Sequence, residues 1–128
     1  MASSSAYSIM VVDDEEELAV LFKTFLEKSG YDAICFTDTI KALEHFGKYF
    51  DKVHLIITDL KMPKLNGIEF ANKVREYSKT VKILLITAFV VNDLLQDDDF
   101  KRAEIVEILQ KPLHLIELGS KINEILIT

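Results

Sequence analysis

A single cysteine, Cys35, stands among 128 residues. No disulfide can close within the chain, and the apolar run around Cys35 reads as the setting of a buried thiol rather than a reactive one. A reducing, cytoplasmic location fits that usage. No apolar run approaches the ~18 residues of a membrane-spanning helix. The N-terminus lacks the basic region and long apolar core of a secretory signal; residues 1–6 read as a flexible polar leader before a domain spanning 7–128. No stretch is rich in Lys and Arg, and 15 basic against 21 acidic residues leave a net charge of −6, which argues against nonspecific nucleic-acid binding. There is no Gly-rich phosphate loop and no G-x-G-x-x-G, so nucleotide binding by those modes has no support. His45, His54 and His114 are scattered without paired spacing, which disfavours a histidine metal site or a phosphohistidine relay. Repeats, linkers and low-complexity tracts are missing. The chain stops at Ile125-Leu126-Ile127-Thr128, and no second domain is expected.

What is present is an ordinary globular composition, 49% hydrophobic and 28% charged, arranged as short apolar runs alternating with amphipathic stretches. Tyr7–Val12, Tyr31–Phe36, Val53–Thr58, Val81–Ile86 and Ile105–Leu109 read as strands. The third has no polar alternation after His54, so it is expected to be central and covered on both faces. Glu15–Lys28 reads as a helix with Leu18, Leu21, Phe22, Phe25 and Leu26 on its inner stripe, acids at its positive end and Gly30 as its stop. Asp38 can cap a helix to about Tyr49 with Ile40, Leu43 and Phe46 inward. Ile68–Tyr77 buries Ile68, Ala71 and Val74, and His114–Ile127 buries Leu115, Leu118, Ile122 and Ile125. Between Val90 and Ala103 the pattern is weaker: Asn92 can cap a short helix through Leu94 and Leu95, and Asp97-Asp98-Asp99 reads as a solvated turn. Five strand–helix repeats with short loops predict an α/β fold, a parallel sheet with helices on both faces in the flavodoxin-like order 2-1-3-4-5.

Polar residues then collect at the strand ends. Asp13-Asp14 follow the first strand, Asp59 the third, Thr87 the fourth and Lys111-Pro112 the fifth. Each has a plain alternative: Asp13-Asp14 as a helix cap, Asp59 as a turn residue before Met62-Pro63, Thr87 as structural, Lys111 as a surface lysine. The carboxyl ends of parallel strands lie together and are where ligands bind in such sheets. The ordered set therefore predicts one site of three carboxylates, a hydroxyl and an ammonium, suited to a divalent cation and a phosphoryl group.

Over nearly its whole length the chain resembles the receiver domain of two-component response regulators, stand-alone receivers included. The resemblance is carried by Val11-Val12-Asp13-Asp14-Glu15, Ile56-Ile57-Thr58-Asp59-Leu60-Lys61-Met62-Pro63, Asn66-Gly67, Leu85-Ile86-Thr87-Ala88 and Lys111-Pro112. It implies that Asp59 is the phosphoacceptor and that Asp14 and Asp59 ligate Mg²⁺ directly. Asp13 would act through water and the Lys61 backbone carbonyl would complete the protein ligands. Thr87 would hydrogen-bond the phosphoryl group, Lys111 would pair with it, and Lys111-Pro112 would carry a cis peptide. The chemistry needs these types, because clustered acids repel unless a hard cation joins them, and cations neutralise the equatorial oxygens during in-line transfer. The implied function is a phosphoacceptor switch, not a dedicated enzyme. Phosphate would come from a sensor histidine kinase or phosphotransfer protein, and output would run through changed binding to a downstream protein. Neither nucleic acid nor membrane is implied as a direct partner, and homodimerisation through the face of the fourth helix, fifth strand and fifth helix is left open.

Four departures qualify the resemblance. Ile108 stands three residues before Lys111, where the family carries Tyr, Phe or His, so the usual coupling of threonine movement to a turning ring is in doubt. Asp97-Asp98-Asp99-Phe100-Lys101-Arg102 replaces a small-residue stretch before the fifth strand. Lys61 and Phe89 occupy the positions that flank the phosphoryl group, where Phe89 is expected either to shield an acyl phosphate from water or to point to solvent or pack against the fourth helix. His114 sits where Asp or Ser often caps the last helix. Two other functions stay open: a constitutive interaction module that has lost switching, and a phosphohydrolase of the haloacid dehalogenase type, which would want a second acid where Lys61 stands.

Overall fold

The computed structural model describes residues 7–88 and 91–127. Five strands, β1 (Ser8–Val12), β2 (Asp32–Phe36), β3 (Leu55–Asp59), β4 (Lys82–Thr87) and β5 (Glu107–Gln110), form one sheet in the order β2-β1-β3-β4-β5. All four pairings are parallel. The central strands β1, β3 and β4 are almost wholly buried, as expected where helices cover both faces. Their side chains alternate between two cores. Ile9, Val11, Leu55, Ile57, Leu84 and Ile86 pack on one face against α1 (Glu16–Lys28) and α6 (Leu115–Ile127). Met10, Val12, Ile56 and Ile83 pack on the other against α2 (Thr39–Tyr49) and α3 (Gly67–Val74). Leu85 faces a smaller cluster with Leu60, Ile68 and Phe100, to which Leu94, Ile105 and Ile108 add partly buried surface. The flavodoxin-like order read from the sequence is the one observed.

Each helix has local causes. Gly30, at φ +96°, ends α1 in a conformation that costs a side-chain-bearing residue energy, and Tyr31 N–H closes back on the Leu26 carbonyl at 3.1 Å. Asp38 caps α2 by accepting from the N–H groups of Ile40 and Lys41. Asn66 and Glu69 form a reciprocal capping box at the start of α3.

Several expectations need correction. The inner face of α1 is Ala19, Phe22 and Leu26 with Phe25 packed beside them as expected, whereas Leu21 is 47% exposed. That of α2 is Thr39, Ala42 and Phe46 with Leu43 packed beside them as expected, whereas Ile40 is 40% exposed. Close packing on a sheet selects small residues that a count of large apolar side chains overlooks. Cys35 is half-buried, not fully enclosed. The acidic run is not a solvated turn: Asp97 caps a helix by accepting from the N–H groups of Asp99 and Phe100. The segment thus makes two short helices, α4 (Val91–Leu95) and α5 (Asp98–Ala103), and among the described residues six α-helices rather than five accompany the sheet. Asn92 lies inside α4 and does not cap it. The expectation for Phe89 lies outside the described residues, as does the leader.

Candidate functional site

Parallel pairing fixes which residues meet. Val12 stands opposite Thr58 and Asp59 opposite Ile86, while Thr87 stands opposite Gln110. The residues that follow β1, end β3 and β4, and follow β5 therefore gather at one edge of the sheet. Asp14, Asp59, Thr87 and Lys111 line a cleft of about 650 Å³ with Glu15, Lys61, Met62, Pro63 and Ala88. Asp13 sits beneath it, 2% exposed. Asp13, Asp14, Asp59, Lys61, Thr87 and Lys111 are all brought to this one place.

Backbone N–H groups hold two of the carboxylates. Asp13 N–H donates to the Phe36 carbonyl at 3.0 Å, and Asp13 Oδ1 accepts from Glu15 N–H at 2.9 Å. Asp59 Oδ1 accepts from Leu60 N–H at 2.8 Å, which leaves Oδ2 toward the cleft, where Lys111 Nζ lies 3.3 Å away. Lys111 N–H donates to the Thr87 carbonyl at 2.9 Å, and the Lys111-Pro112 peptide is cis. Thr87 is fully buried at the end of β4.

Gly67 packs the start of α3 onto the Asp59 backbone so tightly that a Cβ there would lie 2.3 Å from the Asp59 carbonyl oxygen. The motif Asn66-Gly67 was visible in the sequence; the close approach that demands glycine was not. A second device also escaped sequence reading. Lys64, at φ +71°, donates to Asp38 Oδ2 at 2.6 Å, which ties the β3–α3 loop to the cap of α2. The Lys64 ammonium holds the Asp38 carboxyl down at about 2, with the two capping N–H groups helping.

The electrostatics are those of crowded anions. Asp13, Asp14 and Asp59 each offer a carboxylate oxygen within 4.8 Å of the others. Burial pushes the Asp13 carboxyl up to about 6, and the charges of Asp59 and Asp14 add to the rise. The Glu15 N–H and the Lys111 ammonium oppose it. With Glu15 and Lys61 on the lining offsetting one another, the three aspartates against Lys111 leave an excess of negative charge in a partly dehydrated place. Such an all-oxygen donor set fits a small hard divalent cation.

Comparison with known proteins agrees with this geometry. The family model described as "Response regulator receiver domain" matches residues 9–123. The chain is 32% identical over 119 residues to the response regulator receiver protein CpdR of Brucella abortus, covering 93% of this chain and 96% of that protein. It is 33% identical over 123 residues to the alkaline phosphatase synthesis transcriptional regulatory protein PhoP of Bacillus subtilis, where the match takes in 92% of this chain but only 48% of the relative. Among solved structures, the response regulator protein TrrA of Thermotoga maritima in complex with Mg(2+)-BeF superposes with a TM-score of 0.78 at 30% identity, over 94% of this chain and 99% of that one. The chemotaxis protein CheY4 of Vibrio cholerae gives 0.84 at 25% identity, over 94% and 98%. The chain belongs to the response regulator receiver domain family, whose members are phosphoacceptor switches.

Proposed function

We propose that Asp59 of this chain accepts a phosphoryl group from a histidine kinase or phosphotransfer protein, and that Asp13, Asp14, Asp59 and the Lys61 carbonyl hold Mg²⁺ for that transfer. The observation that carries the reading is the convergence of three carboxylates within 4.8 Å on an Asp59 whose outer oxygen faces the Lys111 ammonium at 3.3 Å. Bound Mg²⁺ would neutralise the carboxylates and take phosphoryl oxygens.

The remaining work falls to the chain. Leu60 N–H holds Asp59 Oδ1, which orients Oδ2 as the nucleophile. The bond from Oδ2 to phosphorus forms as the donor's P–N bond breaks, and the leaving imidazole keeps the electron pair. Lys111 is positioned to leave the Asp59 carboxylate and pair with the transferred group, and Thr87 supplies a hydroxyl to one of its oxygens. Water later attacks phosphorus and regenerates the carboxylate, so the protein assists its own turnover without being a dedicated enzyme. Output is a change in what the surface binds: a downstream protein, with no direct role for nucleic acid or membrane. A second copy through the face of α4, α5, β5 and α6 remains an alternative partner.

Intact mass after incubation with acetyl phosphate or phosphoramidate and Mg²⁺, beside Asp59→Asn, tests the reading. A single hydroxylamine-labile phosphate adduct in the wild type and none in the variant is expected. One observation favours a second reading, a constitutive interaction module: Ile108 packs into the apolar cluster of Leu85 and Phe100 and has no ring to turn. Wild-type protein that binds Mg²⁺ yet forms no adduct would establish that module instead.

A further inference from the structure

Lys64 stands in the β3–α3 loop at φ +71°, and Leu65 N–H closes over it onto the Pro63 carbonyl at 2.8 Å. Such a three-residue turn is strained, and a glycine would adopt it without a Cβ penalty. The lysine puts its side chain to use there. Its ammonium lies 2.6 Å from Asp38 Oδ2, with the Lys64 side chain 56% and the Asp38 side chain 28% exposed. Asp38 Oδ1 meanwhile accepts from Ile40 N–H at 2.8 Å and from Lys41 N–H at 3.1 Å. One carboxylate therefore fastens the loop to the start of α2, with a separate oxygen for each.

The tie spans the frame of the carboxylate site. β2 and β3 lie on either side of β1. Asp38 lies just beyond β2 and Lys64 beyond β3, so their contact reaches past the end of β1, which Asp13 and Asp14 follow. Asp13 is joined to the same frame, since its N–H donates to the Phe36 carbonyl at 3.0 Å. Between Asp59 and Lys64 runs the short stretch that carries the Lys61 carbonyl. Met62 and Leu65 seat the loop on the apolar layer of α2 and α3, but apolar contact is non-directional. At the far end Gly67 N–H donates to the Leu60 carbonyl at 2.7 Å. The Lys64 ion pair adds a directed, charge-assisted contact in the middle of the loop.

We propose that Lys64 and Asp38 are positioning residues for the divalent cation: their ion pair holds the β3–α3 loop so that the Lys61 carbonyl stays aligned with the carboxylates of Asp13, Asp14 and Asp59. The inference rests on the Mg²⁺ reading above and adds to it two residues that touch neither the cation nor the phosphoryl group. Groups standing behind metal ligands commonly set their orientation and so the affinity of the site. The tie can lend the site no more than its own free energy, which for an ion pair this exposed corresponds to about 2–5-fold in affinity.

Titration of the full chain with Mg²⁺, followed by the amide NMR shifts of Asp13, Asp59 and Lys61, tests this in Lys64→Gly and Asp38→Asn. Lys64→Gly relieves the turn and removes the tie. Asp38→Asn keeps an oxygen to cap α2 and removes the charge that the ammonium meets. Both should weaken Mg²⁺ binding by a similar factor of about 2–5, and the double variant no further than the weaker single one. Lys64→Arg should bind as the wild type does. Charge acting at a distance forecasts otherwise, because removing a cation would tighten Mg²⁺ binding while removing an anion would weaken it. Shifts of opposite sign in the two variants would therefore overturn the proposal, as would affinities unchanged in both, whatever their melting temperatures. A wild type whose amide shifts ignore Mg²⁺ would instead overturn the metal reading, and the proposal with it.

Discussion

Replacing Asp13 by Asn should make the metal-free protein more stable while destroying its response to Mg²⁺. Asp13 is 2% exposed, and its carboxyl is pushed from 3.8 to about 6, first by burial and then by the charges of Asp59 and Asp14. The sign follows from where the proton sits. Below pH 4 the group is protonated folded and unfolded, and contributes nothing. Between about 4 and 6 the unfolded chain has ionised while the folded one still holds its proton, so stability falls as pH rises. Above about 7 the full penalty applies. The displacement corresponds to about 3 kcal/mol at most, and screening by water in the open cleft reduces it to about 1–2 kcal/mol. Asn keeps the oxygen that accepts from Glu15 N–H and carries no charge to bury. Urea unfolding of both proteins from pH 4 to 8 in the presence of a chelator should give curves that converge at pH 4 and separate by about 1–2 kcal/mol at pH 7–8. Mg²⁺ at a hundred times its dissociation constant should then raise the wild type by about 2.7 kcal/mol and leave the variant unmoved. A difference independent of pH, or a variant less stable than the wild type at pH 8, would refute the reasoning.

Other perturbations probe the supports of the site. Gly67→Ala places a Cβ 2.3 Å from the Asp59 carbonyl oxygen and should cost about 1–3 kcal/mol by thermal unfolding. By contrast, Gly119→Ala meets only the Phe25 ring edge, at 3.1 Å, and should fall within about 1 kcal/mol of neutral. Thr39→Val should stabilise by about 1 kcal/mol in urea, because the buried Thr39 Oγ1 has no hydrogen-bond partner among the described residues. Lys64→Ala should raise the Asp38 carboxyl from about 2 toward its ordinary value, as followed by NMR. Asp38 contributes stability above pH 4 that is lost as pH falls toward 2, so acid unfolding of the variant should begin at a higher pH than in the wild type.

The parts of the molecule that the sequence revealed are those governed by local chemistry. Strands end where polar residues begin, because the carboxyl ends of parallel strands lie together at one edge of the sheet, where ligands bind. Hence Asp13, Asp14, Asp59, Thr87 and Lys111 could be located before any coordinates. What escaped depends on partners distant in sequence. Arg75 reads as an ordinary helix-end cation until Ala103, Glu104 and Val81 bring it their carbonyls. Leu21 and Ile40 outrank Ala19 and Ala42 in hydrophobicity, yet the sheet selects the alanines because a helix can approach it closely there. The acidic run at Asp97 was misjudged for a different reason. Its signal was available, since Asp97 precedes two more acids, suited to a helix start, and Lys101 and Arg102 follow in the last turn. Cap chemistry outweighs average helix propensity there.

The alternation of side chains through the sheet divides this small domain into two compartments. Ile9, Val11, Ile57 and Leu84 belong to the layer of α1 and α6, Met10, Val12, Ile56 and Ile83 to the layer of α2 and α3, and the strand backbones form the wall between them. Substitutions within one layer share neighbours and should combine non-additively, whereas a pair split across the wall should combine nearly as a sum. Sequence drift can therefore refit the α1–α6 layer without disturbing the α2–α3 layer. The carboxylates stand at the strand ends, outside both layers.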